Sequence, residues 1–288
     1  MKKSPLHKII RKLKGPPTVG IALGSGGARG LAHIAVLEAL DEMDVKPVAI
    51  AGASIGAVVG AAYASGMRAV DIRRFAIRIL RDGPGLMRRL VSLQVGRIRE
   101  AGFFASLPMQ ADALAIAEEF LTEIIPADFA DLQIPLKVVA TDYWAREEVI
   151  FEKGPLRPAV AASAAIPGLT RPVEFNGRVL IDGGAINPLP FDLLQGKADI
   201  VVAVDITRMD ERKEKALPSP TETLFMANHI MTHAIVSEKL KSNAPDILLR
   251  PKVHTFGALD FARATPILRA AEPIKEEVKR KLGALLEA

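Results

Sequence analysis

The sequence contains no cysteine. That excludes a disulfide framework, a thiolate metal site and a cysteine nucleophile, and it fits a reducing compartment. Aromatic residues are scarce at 5%, with one Trp and two Tyr. Proteins that hold single-stranded nucleic acid stack its bases on aromatic side chains, so nucleic acid is not expected as a partner. A secretory core is missing too: Ile9, Ile10 and Leu13 stand isolated among cations. The longest charge-free run, Pro47 to Met67, is long enough to span a bilayer. It is mostly Ala and Gly, however, and it divides at Gly52-Ala53-Ser54-Ile55-Gly56 into a buried strand and a packed helix. A soluble protein is the expectation.

What is present is an ordinary globular composition. The chain has 288 residues, 49% hydrophobic and 25% charged, enough for one large domain or two small ones. The net charge of +5 is unevenly placed. Residues 1–15 carry six Lys or Arg and no acid, and residues 68–99 carry nine Arg against Asp71 and Asp82. Such clusters suit an anionic membrane surface. The first is read as a basic N-terminal arm over 1–16. The second, with its interleaved apolar residues, is read as a helical insertion or lid over 68–105.

The apolar pattern predicts strands at Val19–Leu23, Val48–Ala51, Leu136–Thr141, Val149–Phe151 and Ile200–Asp205. Helices are predicted over 30–43 and 54–64, from Ser106-Leu107-Pro108 to before Pro126, and over 155–170 up to Pro167-Gly168. Val173–Phe175 and Arg178–Ile181 flank Asn176-Gly177, a hairpin signal. Beyond a charged loop at 208–220 come a helix near 221–242, a strand at Ile247–Leu249 and terminal helices. Strand and helix alternate early, the mark of a mostly parallel sheet flanked by helices.

Two glycine-rich turns follow the first two strands. Gly52-Ala53-Ser54-Ile55-Gly56 has the strand–turn–helix setting of a nucleophile elbow, with Ser54 thrust out at a helix N-terminus. Alone, the pattern also fits an N-cap serine. Gly24-Ser25-Gly26-Gly27-Ala28-Arg29-Gly30 exposes backbone N–H groups suited to an anion. As a dinucleotide fingerprint it fails, because Arg29 stands in the third glycine's place and Asp44 precedes the second strand. As an oxyanion hole it serves Ser54 well. None of the five histidines, at 7, 33, 229, 233 and 254, has an evident triad role. His229 and His233 lack the Glu of a metalloprotease helix. The better base is Asp182, which ends a strand ahead of Gly183 and Gly184. Asp142 and Asp205 also end strands and read as turn or cap residues.

In this combination the sequence resembles the patatin-like phospholipase family, in its bacterial branch of single-domain proteins. The motifs are Ser25-Gly26-Gly27-Ala28-Arg29-Gly30, Gly52–Gly56 and Asp182-Gly183-Gly184, with Ala140-Thr141-Asp142, Ala162 to Gly168 and Val202 to Asp205 between and after them. Ser25 stands where the family commonly has glycine. The resemblance covers roughly residues 17–207 and implies a three-layer α/β fold, with 208–288 a helical extension packed on the same domain. It implies a Ser54–Asp182 dyad acting without metal or cofactor on phospholipid or other acyl lipid esters. Oxyanion N–H groups would come from Gly26, Gly27 and Ala28. Arg29, Gly30, Gly52, Gly56, Gly183 and Gly184 would support the motifs, Arg29 by steadying its loop. The expected location is cytoplasmic, peripheral on the inner membrane face. A thioesterase or acyltransferase with the same serine, or a catalytically silent lipid-binding regulator, are the alternatives.

Overall fold

The computed structural model describes residues 16–81, 111–208, 217 and 219–288. The strands are β1 (Val19–Leu23), β2 (Ala49–Ala53), β3 (Leu136–Asp142), β4 (Glu147–Phe151), β5 (Val173–Phe175), β6 (Arg178–Asp182), β7 (Ile200–Val204) and β8 (Ile247–Leu249). They form one sheet in the order β5-β6-β3-β2-β1-β7-β8, with β4 also paired to β3. Five neighbours, β3-β2-β1-β7-β8, run parallel, while β4, β5 and β6 join antiparallel at one end. This is the mostly parallel α/β sheet flanked by helices that the motifs implied.

Helices cover both faces: α1 (Ala32–Glu42), α2 (Ile55–Ala64), α3 (Ala69–Arg81), α4 (Ala113–Leu121), α5 (Leu156–Ser163), α6 (Pro220–Ser242), α7 (Ala264–Ala271) and α8 (Ile274–Glu287). The strands sort their side chains by size. Val19, Ile21 and Leu23 of β1 face a large cluster with α1, α2, α7 and α8. Ala22, Ala51 and Ala203 face the other way. Their small side chains let Leu189, Phe191 and Leu194 lie close to the sheet, with Val236 and Leu240 of α6 beyond. Alternation of large and small across a pleated sheet is what sets which helix covers which face.

Strand β8 extends the sheet beside β7, pairing Ile247 with Val202 and Leu249 with Val204. Residues 219–288 are therefore not a purely helical appendage, because they add a strand to the central sheet. Two other boundaries move. The helix predicted to reach Pro167-Gly168 stops at Ser163. Pro167 disfavours helical backbone at Ile166, and the Ala165 carbonyl is taken by the Asp182 N–H instead. The helix predicted from Ser106 begins at Ala113, where Asp112 caps the Leu114 and Ala115 N–H groups; residues 106–110 lie outside the described residues.

The front of the expected lid is part of the body. Helix α3 buries Ala69 and Ile72, and Arg73 bridges Glu38 of α1 and Glu272 after α7, both at 2.6 Å. Lys275 joins the same Glu38 at 2.6 Å. Residues 82–105, the rest of that expected lid, and the basic arm up to residue 15 lie outside the described residues. Among the described residues, no helix is long and apolar enough to cross a membrane.

Candidate active site

Strand β3 brings the site together. Its first half pairs with β2 in parallel, ending at Ala53 opposite Val139. Its second half pairs with β6 in antiparallel sense, ending at Asp182 opposite Ala140. Strand β4 pairs with Val138 to Asp142 on the other side, overlapping the rungs of both, so β2 and β6 share one edge and run toward each other. Their carboxyl ends meet at adjacent registers. Ser54 follows one and Asp182 closes the other, and Ser54 Oγ donates to Asp182 Oδ2 at 2.6 Å.

Ser54 has φ 55° and ψ −126°, an unfavourable conformation for a residue with a Cβ, stored where the surroundings hold it. The turn is tight enough that a Cβ on Gly56 would lie 2.1 Å from the Leu23 carbonyl oxygen. Gly52 sits in β2 under the same turn, and Gly30 packs against Ile55. After Asp182, a Cβ on Gly183 would lie 2.1 Å from the Val139 oxygen. The Gly184 N–H donates to Asp182 Oδ1 at 2.7 Å, so each carboxylate oxygen has its own donor. Ser54 and Asp182 are both buried. Burial lifts the Asp182 carboxyl to about 6, while the hydrogen bonds from Ser54 and Gly184 oppose the rise.

Both residues line one cavity with Ser25, Gly26, Gly27 and Arg29 of the glycine loop. The loop sits at the carboxyl end of β1, from which the chain moves to one side through β2 and to the other through β7 and β8. Such a switch point opens a crevice at the sheet edge. Ala28 stands apart: its N–H is donated to the Ala258 carbonyl at 2.7 Å, and it is absent from the cavity lining. His33 is fully buried on α1, with Nε2 2.8 Å from the Gly24 carbonyl oxygen. Burial lowers it to about 4, the Gly24 bond opposing. The ring is therefore neutral, with Nε2 donating. Its Nδ1 has no partner among the described residues.

Arg29 is almost wholly buried. Its Nε donates to the Gly26 carbonyl at 3.3 Å, which steadies the loop. Its two terminal nitrogens lie 3.2 and 2.9 Å from the ring nitrogens of His229. A neutral imidazole accepts at one nitrogen only, so one contact is a hydrogen bond and the other a close approach. Among the described residues no carboxylate pairs directly with Arg29. Desolvation brings its guanidinium down to about 10, the charge of Asp205 opposing. Burial and the Arg29 charge together push His229 down to about 4. Asp205 accepts from Thr207 and Arg250, and Asp142 caps Trp144 and Ala145. Both hold turns, as expected.

Sequence reasoning missed the far wall. Helix α6 contributes Phe225, Asn228, His229 and Thr232, and the 258–259 turn contributes Ala258 and Leu259. Phe225 and Leu259, together with Ile166 and Pro167, form the apolar part of that lining. Among the described residues no three His, Asp or Glu side chains form a group able to hold a metal ion.

The family model described as patatin-like phospholipase matches residues 21–194, well over half of the chain. This chain belongs to the patatin-like phospholipase family. Over 192 residues it is 39% identical to an uncharacterized NTE family protein of Mycobacterium tuberculosis, covering 66% of this chain and 49% of that protein. It is 27% identical over 319 residues to lysophospholipase nte1 of Aspergillus fumigatus, covering 97% of this chain and 19% of that protein. The chain thus spans about half the length of the mycobacterial relative and a fifth of the fungal one. Among solved structures, VipD from Legionella pneumophila aligns over 92% of this chain and 67% of its own, with 15% identity and a TM-score of 0.48. For this patatin-like chain the matched segment takes in the glycine loop, Ser54 and Asp182, and stops before α6.

Proposed function

We propose that the protein is a serine acyl hydrolase of lipid esters working through a Ser54–Asp182 dyad. The observation that carries this reading is the 2.6 Å hydrogen bond from Ser54 Oγ to Asp182 Oδ2 at a strained strand-to-helix turn that lines a cavity. In attack on an ester carbonyl, the Ser54 oxygen forms the new C–O bond as its proton passes to Asp182 Oδ2. The negative oxygen of the tetrahedral intermediate faces the N–H groups of Gly26 and Gly27, which line the same cavity. Ala28, whose N–H is committed to Ala258, is left out of that role. Collapse of the intermediate breaks the C–O bond to the leaving alcohol, which takes the proton back from Asp182. Water then repeats the sequence on the acyl-enzyme, with Asp182 as its base, and releases the fatty acid.

Three features support the assignment. A carboxyl at about 6 is a stronger base than an ordinary aspartate and is still ionised at neutral pH. Phe225, Leu259, Ile166 and Pro167 offer an acyl chain an apolar wall. Membership of a family described as phospholipases, with a lysophospholipase among its relatives, names the ester class. The test is hydrolysis of a p-nitrophenyl acyl ester series, and of a lysophospholipid, by wild type, Ser54→Ala and Asp182→Asn. Loss of turnover in both folded variants is the expected result, and full activity in Ser54→Ala removes the nucleophile from the account.

A further inference from the structure

One short segment holds both halves of the dyad. Ser163, the last residue of α5, is fully buried, and its Oγ accepts the Ser54 N–H at 2.9 Å. Two residues later the Ala165 carbonyl accepts the Asp182 N–H at 2.9 Å. The Ser54 N–H lies past the last rung of the β2–β3 ladder, which ends at Ala53, and Ser163 supplies the acceptor that the ladder does not. The φ of 55° at Ser54 is unfavourable for a residue with a Cβ and persists only where neighbours over-determine it. A buried hydroxyl aimed at that residue's own N–H is such a neighbour. The same stretch continues into Ile166 and Pro167, which line the cavity.

We propose that Ser163 is a positioning residue for the reaction, fixing the Ser54 backbone in its strained turn and, through the two-residue link to Ala165, setting the distance between nucleophile and carboxylate. The proposal rests on the Ser54–Asp182 reading. It gives a task to the Ala162-Ser163-Ala164-Ala165 run, which the chemistry itself leaves unused. The small side chains at 162, 164 and 165 let the segment pass close to the ends of β2 and β6, where a bulkier run would push the two strand ends apart. A displacement of about 1 Å at a reacting atom is enough to lower a rate about 100-fold.

The experiment compares Ser163→Ala, Ser163→Thr and Ser54→Ala in the full-length chain. It records thermal unfolding, kcat and KM on p-nitrophenyl butyrate, and the acid limb of kcat/KM. Ser163→Ala is expected to fold, to lose roughly 10- to 100-fold in kcat, and to keep KM within about twofold, because the cavity wall is untouched. Its acid limb moves to higher pH, since a displaced Ser54 no longer donates the hydrogen bond that helps hold Asp182 down. Gly184 still donates to Asp182, and Arg29 and His229, the other titratable groups of the cavity, are the same in all variants. Ser163→Thr keeps an acceptor oxygen and is expected to recover most of the lost kcat; if threonine is not accommodated, the alanine variant alone decides. Unchanged kcat and acid limb in Ser163→Ala overturn the proposal while leaving the dyad standing. So does a loss of active molecules with the limb unmoved, which marks a role in stability only. Activity in Ser54→Ala brings down the dyad reading and this proposal together.

Discussion

Ser54 and Asp182 meet because a single strand terminates both of theirs: Val139 of β3 faces Ala53, and Ala140, the next residue, faces Asp182. The two catalytic candidates lie 128 positions apart in sequence. Sheet register alone places them at adjacent rungs, and the two turns that follow aim their side chains at each other.

The buried Asp182 gives the reaction a defined pH dependence. Activity requires the ionised carboxylate, so kcat/KM is expected to fall below a limb near pH 6. Replacement by Asn removes the base and is expected to cost about 100- to 10,000-fold in kcat/KM. Because His229 is already held down to about 4, His229→Gln should leave the position of that limb where it is. A limb that follows His229 instead would transfer the base to the histidine.

The same carboxylate makes the site a source of instability. Its folded value, about 6, lies above the ordinary 3.8, so the folded state binds more protons between those values and stability falls as pH rises through that window. Above it the loss is at most about 3 kcal/mol. Asp182→Asn is therefore expected to be more stable than wild type at pH 8 and to lose that advantage near pH 4. Thermal unfolding at the two pH values checks the sign.

Gly183 tests the geometry that joins the strands. Its Cβ position lies 2.1 Å from a backbone oxygen of β3, which cannot move without disturbing the β3–β6 register. Gly183→Ala is expected to cost about 1–3 kcal/mol by overpacking and to lower kcat as well, because the shift is transmitted to Asp182. A variant with lower stability but unchanged kcat would show that Asp182 is positioned independently of this contact.

The ionic cluster that ties α3 and α8 to α1 should separate stability from activity. Glu38 is buried and held below the usual carboxylate range; burial works against that, and the hydrogen bonds from Arg73 and Lys275 prevail. Arg73→Ala leaves Glu38 with Lys275 alone. About 1–3 kcal/mol is the expected loss, scaled down from a fully buried pair because Arg73 remains 19% exposed. The kcat on a soluble ester should be unchanged.

The parts of the site that were legible in the sequence are those tied to strand ends. Gly24 to Gly30, Ser54 and Asp182 each follow or close an apolar run, and glycines beside them announce turns that admit no Cβ. What was hidden depends on partners remote in sequence. The α6 pattern gave no sign that Phe225 and His229 face the cavity, since the helix carries polar and apolar residues on all sides. Ala28 looks like its glycine neighbours until Ala258, 230 residues later, takes its N–H. Ser163 reads as one small residue in a helix, and its bond from the Ser54 N–H joins residues 109 positions apart. The sequence reads 68–105 as a cationic lid; that Arg73 within it is held by Glu38 and Glu272 could not be read there, because both carboxylates are remote in sequence.

The most direct test of the central claim is labelling with an alkyl fluorophosphonate, read by intact mass and peptide mapping in wild type and Asp182→Asn. The account predicts one adduct per chain, on Ser54, formed at least about 100-fold more slowly when Asp182 is replaced. An adduct on another residue, or equally fast labelling of Ser54 without the carboxylate, would contradict it.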